Sequence, residues 1–197
     1  MQITDEDIKQ AKKIIGDFKK HKTDEEVFYN FCFCILVPQT KFSATLKIVE
    51  HLKQLDFLYK DVDELPEIIK ASRYKNRKAK YLLEMKQKFS QTIDVLRSLL
   101  ELKFDSFDIR KYLIYNIKGM SFKASSHFLR NLGVEDLAIV DIHILNYFKI
   151  EKKSKWDYIE VENKMKKLAK KHNVSIAVLD ALIWKSYSKT NWENFIY

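Results

Sequence analysis

Lys123 and Asp141 are the residues whose placement in this sequence suits covalent chemistry. Lys123 follows directly on the turn Lys118-Gly119-Met120-Ser121-Phe122 and stands in the first turn of the helix that the turn opens. A cation there opposes the helix dipole. The dipole, together with partial burial, favours the neutral amine, and a neutral lysine is a nucleophile that forms Schiff bases. The same position also suits an ordinary exposed lysine. Asp141 is flanked by Ala138, Ile139, Val140, Ile142, Ile144 and Leu145. A lone Asp in such a run reads as a helix N-cap. An N-cap carboxylate stays ionised because it accepts backbone N–H bonds. Facing a reacting group, it stabilises developing positive charge or takes a proton from an amine.

Two helices must hold this turn. An apolar helix end, Tyr112, Leu113, Ile114 and Ile117, runs into it. A second short helix starts at once, with Ala124, Phe128 and Leu132 on one face and Gly133 as its C′ stop. The result is a helical hairpin with a very tight turn, in which Gly119 supplies either a positive φ or close backbone approach. The new helix N-terminus presents free N–H groups and partial positive charge, which suits a phosphate.

The remainder reads as all-α. The chain has 197 residues with only three Gly and two Pro, so long loops and hairpin-rich β structure are disfavoured. Amphipathic spacing marks a helix from Thr4 to Lys20 with Ile8, Ala11, Ile15 and Phe18 inward. Thr23-Asp24-Glu25-Glu26 is a capping box opening a buried helix, Val27 to Val37, that Pro38 ends. Further helices are expected at 43–53, 63–71, 77–88, 91–102 (capped by Ser90), from Asp105 into the hairpin, after Asp141 through Tyr147, at 155–171 and at 175–187. A net charge of +9 favours an anionic partner, nucleic acid before a membrane surface. The basic runs 73–80 and 164–171 are by default solvated faces, although Tyr74 and Tyr81 interleaved with the first also suit DNA contact. Cys32 and Cys34 lie in an apolar helix and read as buried packing. Two thiols cannot ligate a four-cysteine iron–sulfur cluster. The acidic, polar start resembles no signal peptide. No apolar run reaches the ~18–20 residues of a membrane span. The expectation is an intracellular protein.

The stretch KGMSFKASSHFLRNLGVEDLAIVDIHIL resembles the helix-hairpin-helix and following acidic residue of the endonuclease III superfamily of DNA glycosylases. It looks closest to the type-2 8-oxoguanine DNA glycosylase/lyases known mainly from archaea and thermophilic bacteria. The resemblance runs from about Thr23 to Asp180–Trp184. It implies that Lys123 attacks C1′ of a flipped nucleotide and that Asp141 is required. It implies DNA-backbone contact by His143, and phosphate binding by the hairpin amides of Lys118, Gly119, Met120, Ser121 and Phe122. Carbonyls of Tyr115, Ile117 and Met120 would hold a monovalent cation. Gln39, in the Pro38-Gln39-Thr40 loop, would fill the hole left by the extruded base. Ser121 stands where the family usually has a second hairpin Gly; as an N-cap it preserves the helix start but loosens phosphate approach. The family's basic C-terminus is replaced by Asn194-Phe195-Ile196-Tyr197, which bears on lesion choice.

The architecture implied is a two-lobed, all-helical glycosylase domain over 1–197 with a central cleft. Residues 24–132 form a bundle that ends in the hairpin, and 1–23 with 135–197 form the second lobe. The expected substrate is double-stranded DNA carrying an oxidised purine, and the expected protein is a monomer needing no diffusible cofactor. For the base pocket, Pro38 frees a carbonyl near Cys34 that would accept from N7–H of the lesion. Trp184 stacks on the flipped base or packs in the core. A glycosylase for another damaged base, and a non-catalytic hairpin DNA-binding module, remain as alternatives.

Overall fold

The computed structural model describes residues 4–152, 154–188 and 192. Among these there are ten α-helices and no strand. The C-terminal residues 194–197 lie outside the described residues. The chain divides into two compact units, one of residues 21–128 and one of residues 1–20 with 129–197. The division falls inside a helix of the hairpin.

The 21–128 unit is built on α2 (Asp24–Leu36), opened by the expected capping box: Thr23 Oγ1 accepts from Glu26 N–H, and Glu26 accepts from Thr23 N–H. Every residue from Val27 to Leu36 is buried. A helix apolar all round belongs at the centre of a bundle, and α3 (Phe42–Gln54), α4 (Leu65–Ile68) and α5 (Lys75–Glu101) follow it. Phe31 stacks on Phe128 at 3.9 Å between centroids, and Phe28 meets Phe89 edge-on at 5.1 Å. Asn30, inside α2, donates to the Phe128 carbonyl at 3.2 Å, which ties α2 to the hairpin. Cys32 and Cys34 are buried thiols that form no disulfide, and burial pushes the Cys32 thiol up.

Two sequence expectations fail here for local reasons. The helices expected at 77–88 and 91–102 are one helix, α5, of 27 residues. Ser90 sits exposed in its middle. A capping residue alone does not stop a helix; neither Gly nor Pro stands near it, and Phe89, Thr92, Ile93 and Leu96 carry the buried face through. The helix expected at 63–71 shrinks to four residues, with Glu64 before it in the left-handed region at φ 52°.

In the other unit, α1 (Asp5–Asp17) is capped by Thr4. α8 (Ile142–Tyr147), α9 (Tyr158–Lys171) and α10 (Ile176–Ser188) complete it. α9 starts three residues later than expected because Asp157 caps it, accepting from Glu160 N–H at 2.9 Å. Ala11, Ile15 and Phe18 of the α1 segment pack with Ala177, Val178, Ala181 and Leu182 of α10. Ala138, Val140, Ile144, Val161, Met165, Leu179 and Ile183 form the second core cluster.

Candidate active site

The hairpin consists of α6 (Ser106–Asn116) and α7 (Phe122–Arg130). Asp105 caps α6 through Phe107 N–H at 2.8 Å. Ile117 ends α6 in an extended conformation, and Met120 N–H bonds back to the Ile117 carbonyl at 3.2 Å. Gly119 between them has φ +92°, and a Cβ there would lie 2.8 Å from Tyr81 Cδ2. Both reasons for a glycine therefore hold together. Ser121 Oγ accepts from Ala124 N–H at 3.3 Å, so the residue that replaces a Gly does cap the next helix. The far end of α7 closes in a Schellman turn: Gly133 N–H bonds Arg130 O, Val134 N–H bonds Leu129 O, and Gly133 has φ +88°.

Lys123 lies on the first turn of α7 with its side chain exposed, so the partial burial expected for it is absent. Its neighbours on the helix are anchored from beneath. Arg110 of α6, 1 % exposed, donates to Ser126 Oγ at 3.0 Å, and its guanidinium lies 5.1 Å from the ring centre of Phe122. Arg110 thus fixes the residues one before and three after Lys123. Lys118, in the turn, pairs with Glu84 of α5 at 2.9 Å. That bond raises the Lys118 ammonium above its ordinary value and lowers the Glu84 carboxyl.

Among the cation-site carbonyls, that of Ile117 already accepts the Met120 N–H. A carbonyl has a second lone pair, so this bond leaves the Ile117 oxygen able to accept once more.

Pro38 and Gln39 form an exposed loop between α2 and α3, with Gln39 left-handed at φ 59°. The loop is fastened by a residue that the sequence hides in a charged run. Lys78 of α5, 6 % exposed, donates to Leu36 O at 2.5 Å, Pro38 O at 2.7 Å, Thr40 Oγ1 at 3.0 Å and Ser72 Oγ at 3.0 Å. Burial pulls its ammonium down to about 8, while four acceptors around it favour keeping the proton. The run 73–80 is therefore not a uniformly solvated face. Arg73, Tyr74, Asn76, Arg77 and Lys80 keep to the surface: Tyr74, left-handed at φ 61°, has the guanidiniums of Arg73 and Arg77 each 4.9 Å from its ring centre. Cys34 is fully buried in α2, its Sγ 3.7 Å from Asn30 Oδ1.

Asp141 caps α8, as one of its two readings expects. Oδ1 accepts from His143 N–H at 2.8 Å and Ile144 N–H at 3.1 Å, so the helix uses one oxygen and leaves Oδ2 for other partners. His143 is half-buried in the first turn of α8. Trp184 of α10 is half-buried against the cluster containing Ala11, Ile15 and Ala181. Lys123 and Asp141 belong to different units, as do Cys34 with Pro38 and Trp184.

Residues 10–174 match the family model described as 8-oxoguanine DNA glycosylase. The chain belongs to this family. A Fusobacterium nucleatum subsp. nucleatum relative named 8-oxoguanine DNA glycosylase/AP lyase is 32% identical over 187 residues, covering 88% of this chain and 86% of the relative. The crystal structure of the Methanocaldococcus jannaschii 8-oxoguanine glycosylase/lyase with a 15mer DNA containing 8-oxoguanine superposes with a TM-score of 0.78 at 29% identity, covering 94% of this chain and 97% of that one. The 8-oxoguanine DNA glycosylase of Thermotoga maritima gives 0.79 at 27%, covering 94% and 92%. The all-helical helix-hairpin-helix fold is therefore that of the 8-oxoguanine DNA glycosylases. Within that fold, Lys78 and Arg110 are the residues that sequence reading passed over. The signal for Lys78 was its place beside Ala79 and Leu82 on the buried face of α5; that for Arg110 was its place beside Ile109 and Leu113 in α6.

Proposed function

We propose that this protein is a bifunctional DNA glycosylase and AP lyase that removes 8-oxoguanine from duplex DNA. The observation that carries the reading is the family match across 10–174, which contains the whole hairpin, Lys123 and Asp141. The two units act as the lobes of one glycosylase domain. A base inside a duplex is out of reach, so the lesion nucleotide is extruded before chemistry. Gln39 occupies the space it leaves. The amides from Lys118 to Phe122 and the side chain of His143 hold the backbone. A monovalent cation on the carbonyls of Tyr115, Ile117 and Met120 would offset phosphate charge at the hairpin.

Lys123 in its neutral form attacks C1′ and displaces the base, while the ionised Asp141 stabilises positive charge developing on the sugar. The C1′ amine then opens the sugar ring to a Schiff base. Loss of a proton from C2′ eliminates the 3′ phosphate and cleaves the strand 3′ to the site. Exposure of Lys123 in the DNA-free protein is compatible with this role, because the substrate itself supplies the desolvation. The base pocket is assigned to the Cys34–Pro38 segment for hydrogen bonding and to Trp184 for stacking.

Borohydride trapping on a duplex with one 8-oxoguanine tests the reading. A covalent protein–DNA adduct, lost in Lys123→Gln, is the expected result. Binding without adduct would make the protein a hairpin DNA-binding module instead. A panel of other lesion duplexes run alongside identifies a different base preference.

A further inference from the structure

The backbone leading into Asp141 is held by side chains. Ala138 N–H donates to Glu162 Oε1 at 2.8 Å, and Ala138 O accepts from the Tyr158 hydroxyl at 2.7 Å. Ile139 N–H donates to Asp180 Oδ2 at 2.9 Å. Val140 N–H donates to the same Tyr158 oxygen at 3.1 Å. Three successive amides and one carbonyl are thereby satisfied by three side chains, two from α9 and one from α10. The Tyr158 hydroxyl acts as donor and acceptor at once, and clips residue 138 to residue 140.

The carboxyl groups that satisfy this backbone are themselves buried. Glu162 is 1 % exposed and Asp180 6 % exposed. Around the segment lie Val161, Met165, Leu179 and Ile183. A buried carboxyl group must be hydrogen-bonded, and these amides are among the partners of both. What a carboxylate adds is a shorter, stronger bond of fixed direction. The benefit falls on the next residue. Asp141 is one peptide beyond the clipped Val140 and is itself extended, φ −118° and ψ −171°, before Oδ1 locks onto the amides of α8. Its backbone is fixed on the near side by Tyr158 and on the far side by α8, which sets the direction of Oδ2.

We propose that Tyr158, Glu162 and Asp180 are positioning residues for base excision, acting through Asp141. The inference rests on the role given to Asp141 above. A shift of about 1 Å in a reacting group costs on the order of a hundredfold in rate, so loss of the clip should be read in the chemical step.

The test is a double-mutant cycle on single-turnover release of 8-oxoguanine at saturating enzyme, with duplex affinity and melting temperature followed in parallel. Tyr158→Phe removes both hydroxyl bonds and keeps the ring. It is expected to slow release by about 10- to 100-fold with affinity unchanged. In an Asp141→Asn background the same substitution is expected to cause no further loss, because residues that act through one group are not additive. Losses that multiply overturn the positioning role and leave the reading of Asp141 standing; so does a wild-type rate for Tyr158→Phe. A wild-type rate for Asp141→Asn alone removes the function given to Asp141, and the proposal with it. If Tyr158→Phe does not fold, the cycle is run with Glu162→Gln, which weakens the Ala138 bond without emptying the site, under the same criteria.

Discussion

The ring of Tyr81 closes over Gly119, so that a methyl group at residue 119 would come within 2.8 Å of Cδ2. The backbone at Gly119 also has φ +92°, which an L side chain rarely adopts. Gly119→Ala therefore meets two obstacles, and the expected loss is about 1–3 kcal/mol of stability. Tyr81→Ala in the same chain removes the clash but not the strain, so rescue should be partial. Thermal melting of the single and double variants checks this. Full rescue would mean that the backbone conformation contributes nothing.

Lys123→Gln should abolish base release and borohydride trapping. The side chain is exposed at the surface of α7, so folding and duplex affinity should be nearly unchanged. Trapping yield and anisotropy on an 8-oxoguanine duplex, measured side by side, separate the two effects. Turnover close to wild type would remove the nucleophile from the mechanism.

Lys78 should make the stability of the protein rise in mild alkali. Burial places its ammonium at about 8, against an ordinary 10.5. Below pH 8 the folded and unfolded chains both carry the proton, and the cost of burying it is present in full. Between about 8 and 10.5 the unfolded chain binds more protons, so stability climbs with pH. Comparison of urea midpoints for the protein and Lys78→Met over this range should show the difference between them shifting in favour of the protein. The same substitution unfastens the Pro38–Gln39 loop, leaving the Leu36 and Pro38 carbonyls without their shared donor. Base release should suffer even where the fold survives.

The hairpin was the most legible part of the sequence because its determinants are local. Gly119, Ser121 and Gly133 announce a turn, a cap and a stop within fifteen residues, and each does so in the structure. Asp141 was legible as a cap for the same reason. Lys78 and the Tyr158–Glu162–Asp180 clip were not, because their partners lie about 20 to 40 residues away in sequence. A lysine inside Arg73-Tyr74-Lys75-Asn76-Arg77-Lys78 looks like its neighbours until the helix phase is known. The unbroken run of α5 through Ser90 was hidden likewise: a good N-cap residue was present, and only the continuous buried face overruled it.

Glu84 is expected to restrain the hairpin's affinity for DNA. It accepts from Lys118 at 2.9 Å and from Lys88 at 3.1 Å, and so neutralises a cation at the turn assigned to phosphate. To reach a phosphate, Lys118 must first leave this carboxylate. Exposed pairs of this kind are weak, so the competition is modest. Glu84→Gln should tighten binding to undamaged duplex by about two- to fivefold at low salt. It should also steepen the fall of affinity with salt, since one more cation becomes available to displace counterions. Protonating Glu84 has the same sense, but Lys118 and Lys88 hold its carboxyl below the ordinary 4.5, so the effect needs more acid than an isolated Glu would. Anisotropy titrations of the two proteins across a salt series provide the measurement. Equal slopes with equal affinities would show that Lys118 makes no phosphate contact, and weaker binding by Glu84→Gln would show that the pair orders the turn for DNA rather than competing with it.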